Sequence, residues 1–444
     1  MPRKKIFSPG RVVLVSVLLT ILFGSLVLKL PISQAEPLSF IDCLFTAASS
    51  ACVTGVLTVP LDSFTYFGKI IILILMQIGG VGLITLSLFL VSLFTDLGLA
   101  TKLMAGQILE LENSTHIKEV LLFIAIFTLS IELLGALCIF FIISPDFSFG
   151  DAIFNSLFHS ISSFCSVGLS FAGNSLTSYK NNVPMLTITA LLILLGTTGF
   201  MTWYELVNYV KRKIQNKRRK NISLTTKIVV STTIIMIITA TIILTLLESF
   251  RGATTLSWPR TIFNMLFNAI SYRSTGFTSI SLSTMQPATI FFILMYSLIG
   301  SSPNSTGSGI KVTTFVIVLA TIRSLLIERT DIEIKGRRIP QDQVFKALSI
   351  LSLSFCWIII STFLLLLLET DKSFIDIFFE TVSSFTAIGL ATEITPCLSV
   401  AGKILIMINM FIGRLGSLTF LLAFIRRRIQ ERAEFQYPEE RVMI

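Results

Sequence analysis

Long apolar runs dominate the chain. Windows of about 20 apolar residues, enough to cross a ~30 Å hydrocarbon core, recur near residues 12–30, 66–94, 118–143, 183–210, 228–248, 287–322, 346–368 and 398–425. The pattern predicts eight spanning helices, an even number that returns both termini to one side. The sixth window is interrupted. Between "ATIFFILMYSLIG" and "FVIVLATI" stands "SSPNSTGSGIKVTT", so that Gly300, Pro303, Gly307, Gly309, a run of hydroxyls and Lys311 occupy the middle of an apolar segment. In hydrocarbon every backbone polar group must find a partner inside the protein, and non-helical backbone is tolerated only where it lines a wet cavity. The stretch is therefore expected to break the helix and to lie across such a cavity. A simple kink needs only a proline or a glycine pair.

Shorter apolar stretches, too short to cross, separate the windows in pairs. They read "FIDCLFTAASSACVTGVL", "IFNSLFHSISSFCSVGLS", "IFNMLFNAISYRSTGFTS" and "FIDIFFETVSSFTAIGLA". Asp42, Asn155, Asn264 and Asp376 each precede a phenylalanine by three, and Ser50, Ser163, Ser271 and Ser384 each lie five before Gly55, Gly168, Gly276 and Gly389. The third copy is one residue shorter between its phenylalanine and its serine. The following windows repeat too, as "QIGGVG", "LLGTTG", "LIGSSPNSTG" and "FIGRLG". Glycines in a membrane helix commonly serve close packing, but packing alone does not explain a short helix ended by glycine in every copy.

The expected fold is an all-α integral membrane protein: four pseudo-symmetric repeats of helix, re-entrant pore helix and helix around one pore. The repeats are placed at 1–110, 111–222, 223–340 (with the broken inner helix and loop 300–309) and 341–425, followed by a cytoplasmic tail at 426–444. A half-helix that ends near the membrane centre aims its C-terminal carbonyls at the axis, with roughly −0.5 charge there. Acids near the half-helix starts, Asp42, Asp151 and Asp376, complement the positive ends. A glycine then lets the chain leave in a left-handed or extended conformation, and four such turns can form a ring of oxygens that replaces a hydration shell. The expected monovalent-cation filter uses the carbonyls of Thr54, Val167, Thr275 and Ile388, with Val53, Ser166, Ser274 and Ala387 below and Gly55, Gly168, Gly276 and Gly389 above. No turn carries an acidic ring, which argues against a calcium-type filter.

The expected gate comprises Gly300, Ser301, Ser302, Pro303, Asn304, Ser305, Thr306, Gly307, Ser308, Gly309 and Lys311, with Arg414 at the fourth-repeat position that aligns with the start of the loop. An arginine at membrane depth must face a partner or a wet cavity. Either it ties two repeats together through a salt bridge, or it sits beside the ion path and donates to loop carbonyls. Arg273, three residues before Gly276, either tunes the charge of the pore or, as expected here, pairs with a carboxylate such as Glu380 or Glu393 and holds the half-helix in place. His116 and His159 read as ordinary helix residues. The loop is not a phosphate loop, since no strand precedes it and G-K-[ST] is absent.

Composition agrees with lipid as the solvent. Hydrophobic residues make up 53% of 444 and charged residues 14%, against roughly 25% charged in soluble domains. The net charge of +10 could suggest nucleic acid, but Lys and Arg cluster in "MPRKKIFSPGR", in 211–220, in 323–338 and in 426–432. All four clusters fall on one side of the expected topology, which is the positive-inside pattern. That basic inner surface suits anionic lipid or an acidic cytosolic partner. Residues 1–35 resemble a secretory signal, yet the repeat needs them as a retained helix. The six cysteines show no metal spacing and read as small buried hydrophobes. A secondary carrier would predict inverted repeats, whereas these are parallel. No catalytic constellation is visible, so neither enzyme activity nor a cofactor held by this chain is expected.

At these residues the chain resembles the Trk/Ktr/HKT superfamily of potassium transporters. The four repeats, one glycine per turn, "YRSTGFTS" and "GSSPNSTGSGIKVTT" carry the likeness, and the eight spans and the tail "YPEERVMI" resemble its KtrB-type members. The resemblance implies K+ uptake, a homodimer with one pore per protomer, a cytosolic ring of KtrA-like nucleotide-binding regulatory subunits, and stimulation by Na+. Plant relatives with serine in the first turn lean toward sodium, so Gly55 implies potassium. The alternative on the same scaffold is a sodium-conducting or poorly selective channel.

Overall fold

The computed structural model describes residues 9–82, 85, 117–171, 173, 175–215, 222–249, 257–329, 331–391, 394–417 and 420. His116, Glu393, the basic cluster 426–432 and the tail lie outside them, as does half of cluster 211–220. The outer helices are α1 (Pro9–Leu28), and below α4, α8 and α12; between them the chain adds short buried helices and inner helices. In chain order these are α2 (Phe40–Ala51), α3 (Tyr66–Val81), α4 (Ile117–Ile143), α5 (Phe149–Phe164), α6 (Val183–Thr197), α7 (Phe200–Ile214), α8 (Leu224–Ser249) and α9 (Trp258–Ser271). There follow α10 (Pro287–Leu298), α11 (Val312–Leu326), α12 (Gln341–Leu368), α13 (Phe374–Thr386) and α14 (Val400–Leu415). A small antiparallel hairpin, β1 (Glu333–Ile334) and β2 (Arg337–Arg338), joins α11 to α12.

The outer helices α1, α4, α8 and α12 are each long and apolar enough to cross a membrane. They expose rows of large apolar side chains, among them Phe23, Leu133, Ile235 and Phe363, where a water-facing helix would carry charge. The half-helices α2, α5, α9 and α13 are instead buried along most of their length. Three begin with the same device. Ser39, Ser148 and Ser373 accept from the amides of Asp42, Asp151 and Asp376, and their hydroxyls donate back to those carboxylates at 2.6, 2.6 and 2.7 Å. This variant of the capping box places an acid where the helix end is positive. The start of α9 carries Arg260 instead of an acid, and Ser257 makes no side-chain cap bond. Neighbouring repeats are tied on that side: Lys403 pairs with Asp42 at 2.8 Å, and Tyr66 donates to Asp151.

The inner helices differ from the expected unbroken spans. The window 183–210 is not one helix, because α6 stops at Thr197 and α7 leaves it at 97°. Window 66–94 likewise loses its helix at Val81, and window 398–425 at Leu415. Each break falls on the second glycine of the repeated motif: Gly82, Gly199 and Gly416 stand at φ +88, +94 and +82, a region that ends a helix and favours glycine. The third repeat has Pro303 at that position. Interruption was expected in the third repeat alone. It is a property of all four inner helices, and the third repeat differs in carrying a loop there. The first glycine of the motif has a separate role. A methyl at Gly79, Gly196 or Gly413 would strike the carbonyl of Ala51, Phe164 or Phe385, the last residues of α2, α5 and near the end of α13. Inner helix and half-helix end thus meet backbone to backbone.

The cysteines divide evenly, which corrects their expected burial. Cys43, Cys52 and Cys165 are buried, whereas Cys138, Cys356 and Cys397 are exposed, and all six are free thiols.

Candidate functional site

Three half-helices end in one way. Val53, Ser166 and Ala387 take left-handed φ values of +59, +61 and +52. The next amides, of Thr54, Val167 and Ile388, reach back to the carbonyls of Ser49, Ser162 and Ser383 at 2.8, 2.8 and 3.2 Å. That is the Schellman arrangement, normally built on glycine. A valine there is strained, and such strain persists only where surroundings over-determine it. The third turn, one residue shorter, ends differently: the amides of Ser274, Thr275 and Gly276 all point to Ser271 O, at 3.1, 2.8 and 3.1 Å.

All four turns then pass through a glycine of positive φ, +83 at Gly55, +86 at Gly168, +74 at Gly276 and +80 at Gly389. Their packing closes a ring. A methyl on Gly55 would strike Val167 O; on Gly168, Thr275 O; on Gly276, Ile388 O; and on Gly389, Thr54 O. From the Gly389 position the oxygens of Thr54, Thr275 and Val167 lie at 2.5, 3.0 and 3.2 Å. The structure therefore brings the oxygens expected to line the filter into one small space. The hydroxyls of Thr54, Ser274 and Thr275 are buried with no hydrogen-bond partner among the described residues.

Beside the ring lies the loop between α10 and α11. Its neck is closed by a parallel bridge between Ile299 and Ile310 and by Gly300 N to Ile310 O at 2.9 Å. Ser302 N donates to Thr197 O at 3.2 Å, Thr306 N to Gly196 O at 3.3 Å, and Phe200 N to Asn304 O at 2.8 Å, so the loop occupies the gap between α6 and α7. Within it Ser305 Oγ donates to Ser302 O at 2.6 Å, and Lys311 Nζ to Gly307 O at 2.9 Å. Ser301, Ser302, Thr306 and Ser308 are buried. Pro303 O lies close to Gly199, and a methyl on Gly307 would strike Ser274 Oγ of the third turn. Gly309, at φ +81, returns the chain to α11.

Arg414, at the end of α14, donates from Nη1 to Thr306 O and from Nη2 to Gly79 O, with longer contacts at 3.4 Å to Ser308 Oγ and Gly80 O. Its partners are carbonyls and a hydroxyl, so among the described residues it makes no salt bridge. Arg273 corrects a second expectation. It does not pair with Glu380, whose Oε1 accepts from Thr395 at 2.7 Å; both terminal nitrogens of Arg273 are buried without a partner among the described residues. The other expected partner, Glu393, lies outside those residues. His159 is a buried core histidine, 3.0 Å from Thr189 Oγ1 and packed between Phe171 and Phe277.

Three buried acids among the described residues escaped the sequence reading, Glu132, Glu248 and Glu369. Glu132 in α4 is 3% exposed and accepts from Gln77 Nε2 at 3.0 Å and from the Cys165 thiol at 3.6 Å. It braces the residue that leads into the second turn. Its only sequence signal was an ionisable residue in an apolar span.

Fold and ring together define a multi-pass membrane protein of the four-repeat, ion-channel type. The TrkH family model, described as "Cation transport protein", matches residues 11–434, and the chain belongs to that family. It is 33% identical to the Ktr system potassium uptake protein B of Bacillus subtilis over 440 residues, 98% of this chain and 96% of that protein. It is 30% identical to the potassium/sodium uptake protein NtpJ of Enterococcus hirae over 451 residues, 99% of this chain and 98% of that one. The crystal structure of the potassium transporter TrkH from Vibrio parahaemolyticus superposes with a TM-score of 0.73 at 18% identity, covering 96% of this chain and 86% of that one. That likeness speaks for the fold.

Proposed function

We propose that this protein takes up K+ across the cytoplasmic membrane through the ring of four carbonyls, gated by the loop 300–309. The closed succession of glycine turns, each against the oxygen of the next, is the observation that carries the reading. Half-helix ends bring negative dipole toward the ring, and carbonyl oxygens at such density suit a desolvated monovalent cation. The repeats run 1–110, 111–222, 223–340 and 341–425, with both termini and the tail 426–444 in the cytoplasm. Lys211, Arg212 and Lys213, in the last turn of α7, belong to the inner basic surface and face anionic headgroups. The full-length similarity to a protein named as part of the Ktr system supports a partner subunit; the proposed assembly is a homodimer seated on a cytosolic nucleotide-binding, KtrA-like ring, with Na+ as a stimulating ion. Conduction of Na+ is the second reading, supported by the relative named as a potassium/sodium uptake protein. Rubidium tracer uptake into proteoliposomes, with and without competing sodium, separates the two: a filter selective for potassium keeps rubidium uptake when sodium is in excess.

The loop supplies a prediction of its own. Shortening residues 302–308 removes the bonds to Thr197, Gly196 and Arg414. Flux per molecule should rise by at least on the order of thirtyfold, the ratio expected from losing one charge-assisted hydrogen bond of about 2 kcal/mol in the closed state, and regulation by the cytosolic partner should weaken. A folded variant that conducts no more than the wild type would remove the loop from the gate.

A further inference from the structure

The atoms that hold the loop in place also touch the ring. Thr306 is fully buried, and its hydroxyl sits between two groups of the second repeat: Phe164 O at 3.1 Å and Ser166 Oγ at 2.9 Å. A hydroxyl has one proton to give. Thr306 gives it to Phe164 O, so Ser166 must donate to Thr306, and the chain of donors runs from Ser166 through Thr306 to Phe164. Both ends belong to the second turn. Phe164 is the last residue of α5, and its carbonyl is among the helix-end acceptors that no intrahelical amide reaches. Ser166 precedes Val167 and stands at φ +61, a conformation unfavourable for a residue with a Cβ. Its side-chain bond to Thr306 is one of the contacts that hold it there.

The rest of Thr306 faces the gate. Its amide donates to Gly196 O at 3.3 Å, and its carbonyl accepts from Arg414. The loop cannot leave without releasing Ser166 and Phe164. The residue types of the turns follow the same geography. Of the four equivalent positions, Ser166 and Ser274 carry hydroxyls, and these are in the turns that the loop touches, through Thr306 and Gly307. Val53 and Ala387, in the first and fourth turns, are apolar.

We propose that Thr306 is a positioning residue that couples the loop to the second filter turn, so that opening the loop loosens that turn and lowers the preference for potassium over sodium. This rests on the loop being the gate, and the experiment separates the two ideas. The full chain is reconstituted in proteoliposomes, and rubidium and sodium tracer uptake are measured per molecule for Thr306→Val, Ser166→Ala, their double variant, Thr306→Ser and the chain shortened within 302–308. Coupling predicts that Ser166→Ala lowers the rubidium-to-sodium ratio by about fivefold, the ratio for one net hydrogen bond, and that Thr306→Val, which also loses the bond to Phe164 O, lowers it at least as much. The double variant should fall no further than Thr306→Val, because that substitution already removes the bond that Ser166→Ala removes. Thr306→Ser, which keeps the hydroxyl, should restore the ratio. The shortened loop should raise flux and lower the ratio together. If Thr306→Val fails to fold, Ser166→Ala probes the same bond from the filter side. A flux gain on loop shortening, with unchanged ratios in both single variants, overturns the coupling and leaves the gate intact. Loop shortening without any gain in flux overturns the gate and the coupling with it.

Discussion

Arg414→Ala is expected to raise potassium flux per molecule by on the order of thirtyfold. The guanidinium reaches two elements at once, the loop through Thr306 O and Ser308 Oγ and the end of α3 through Gly79 O and Gly80 O. It therefore clamps a loop of the third repeat between the inner helices of the fourth and first. A hydrogen bond from a charged donor contributes about 1.5–3 kcal/mol net. Losing a single such bond on the loop side shifts the closed state by about 2 kcal/mol, and at about 1.4 kcal/mol per decade this gives the stated ratio. The open state suffers less, because a guanidinium facing a wet cavity keeps water as a partner. Arg414→Lys should fall between the wild type and alanine: the charge remains, but one ammonium cannot span both sets of carbonyls as the planar fork does. Flux is to be normalised to purified, monodisperse protein. If alanine lowers the yield of folded protein and leaves flux per molecule at or below the wild type, Arg414 is a tie between repeats and not a brake.

The repeats were legible because they are written in burial and in glycine, both of which survive as sequence pattern. Half-helices too short to span, each closed by a glycine five residues after a serine, needed no tertiary information to align. The breaks in the inner helices were less legible for a physical reason. Hydropathy reports where a segment sits, and a window spanning Gly199 averages the apolar α6 with the amphipathic α7, so the 97° turn between them is smoothed over. The signal was present in another form, the last glycine of "QIGGVG", "LLGTTG" and "FIGRLG", whose spacing marks a dihedral requirement and not a packing one. The left-handed Val53 carried no signal at all, because β-branched residues disfavour that conformation and only the surrounding turns impose it. Partners were the least legible. Glu132 meets Gln77, 55 positions away, and Thr306 meets Ser166, 140 positions away. The expected Arg273–Glu380 pair failed on the same point: two charges of opposite sign on neighbouring repeats suggest a bridge, but orientation decides it.

Gly55→Ser should cause the largest loss of discrimination, lowering the rubidium-to-sodium uptake ratio by at least about tenfold. Two effects combine. At φ +83 a side chain makes the backbone less stable by roughly 1–2 kcal/mol, which favours turning the first turn out of its left-handed conformation and its carbonyl off the axis. Independently, the new Cβ would overlap Val167 O of the second turn, and a backbone carbonyl cannot move aside without moving its peptide plane. One substitution therefore displaces two neighbouring oxygens of the ring. A shift of about 1.4 kcal/mol in the relative fit of the two ions already amounts to a decade. Gly389→Ala should be more severe. Its methyl would stand 2.5, 3.0 and 3.2 Å from the oxygens of Thr54, Thr275 and Val167, filling the space on which they converge, so uptake of both ions should fall together. Gly336→Ala is the control for strain alone: it lies in the β1–β2 hairpin at φ +73 with nothing within 4 Å of an added Cβ, and it should leave the ratio at its wild-type value. If competitive uptake by folded Gly55→Ser shows an unchanged ratio, the oxygens of Thr54 and Val167 do not select the ion, and the assignment of the filter to this ring is wrong.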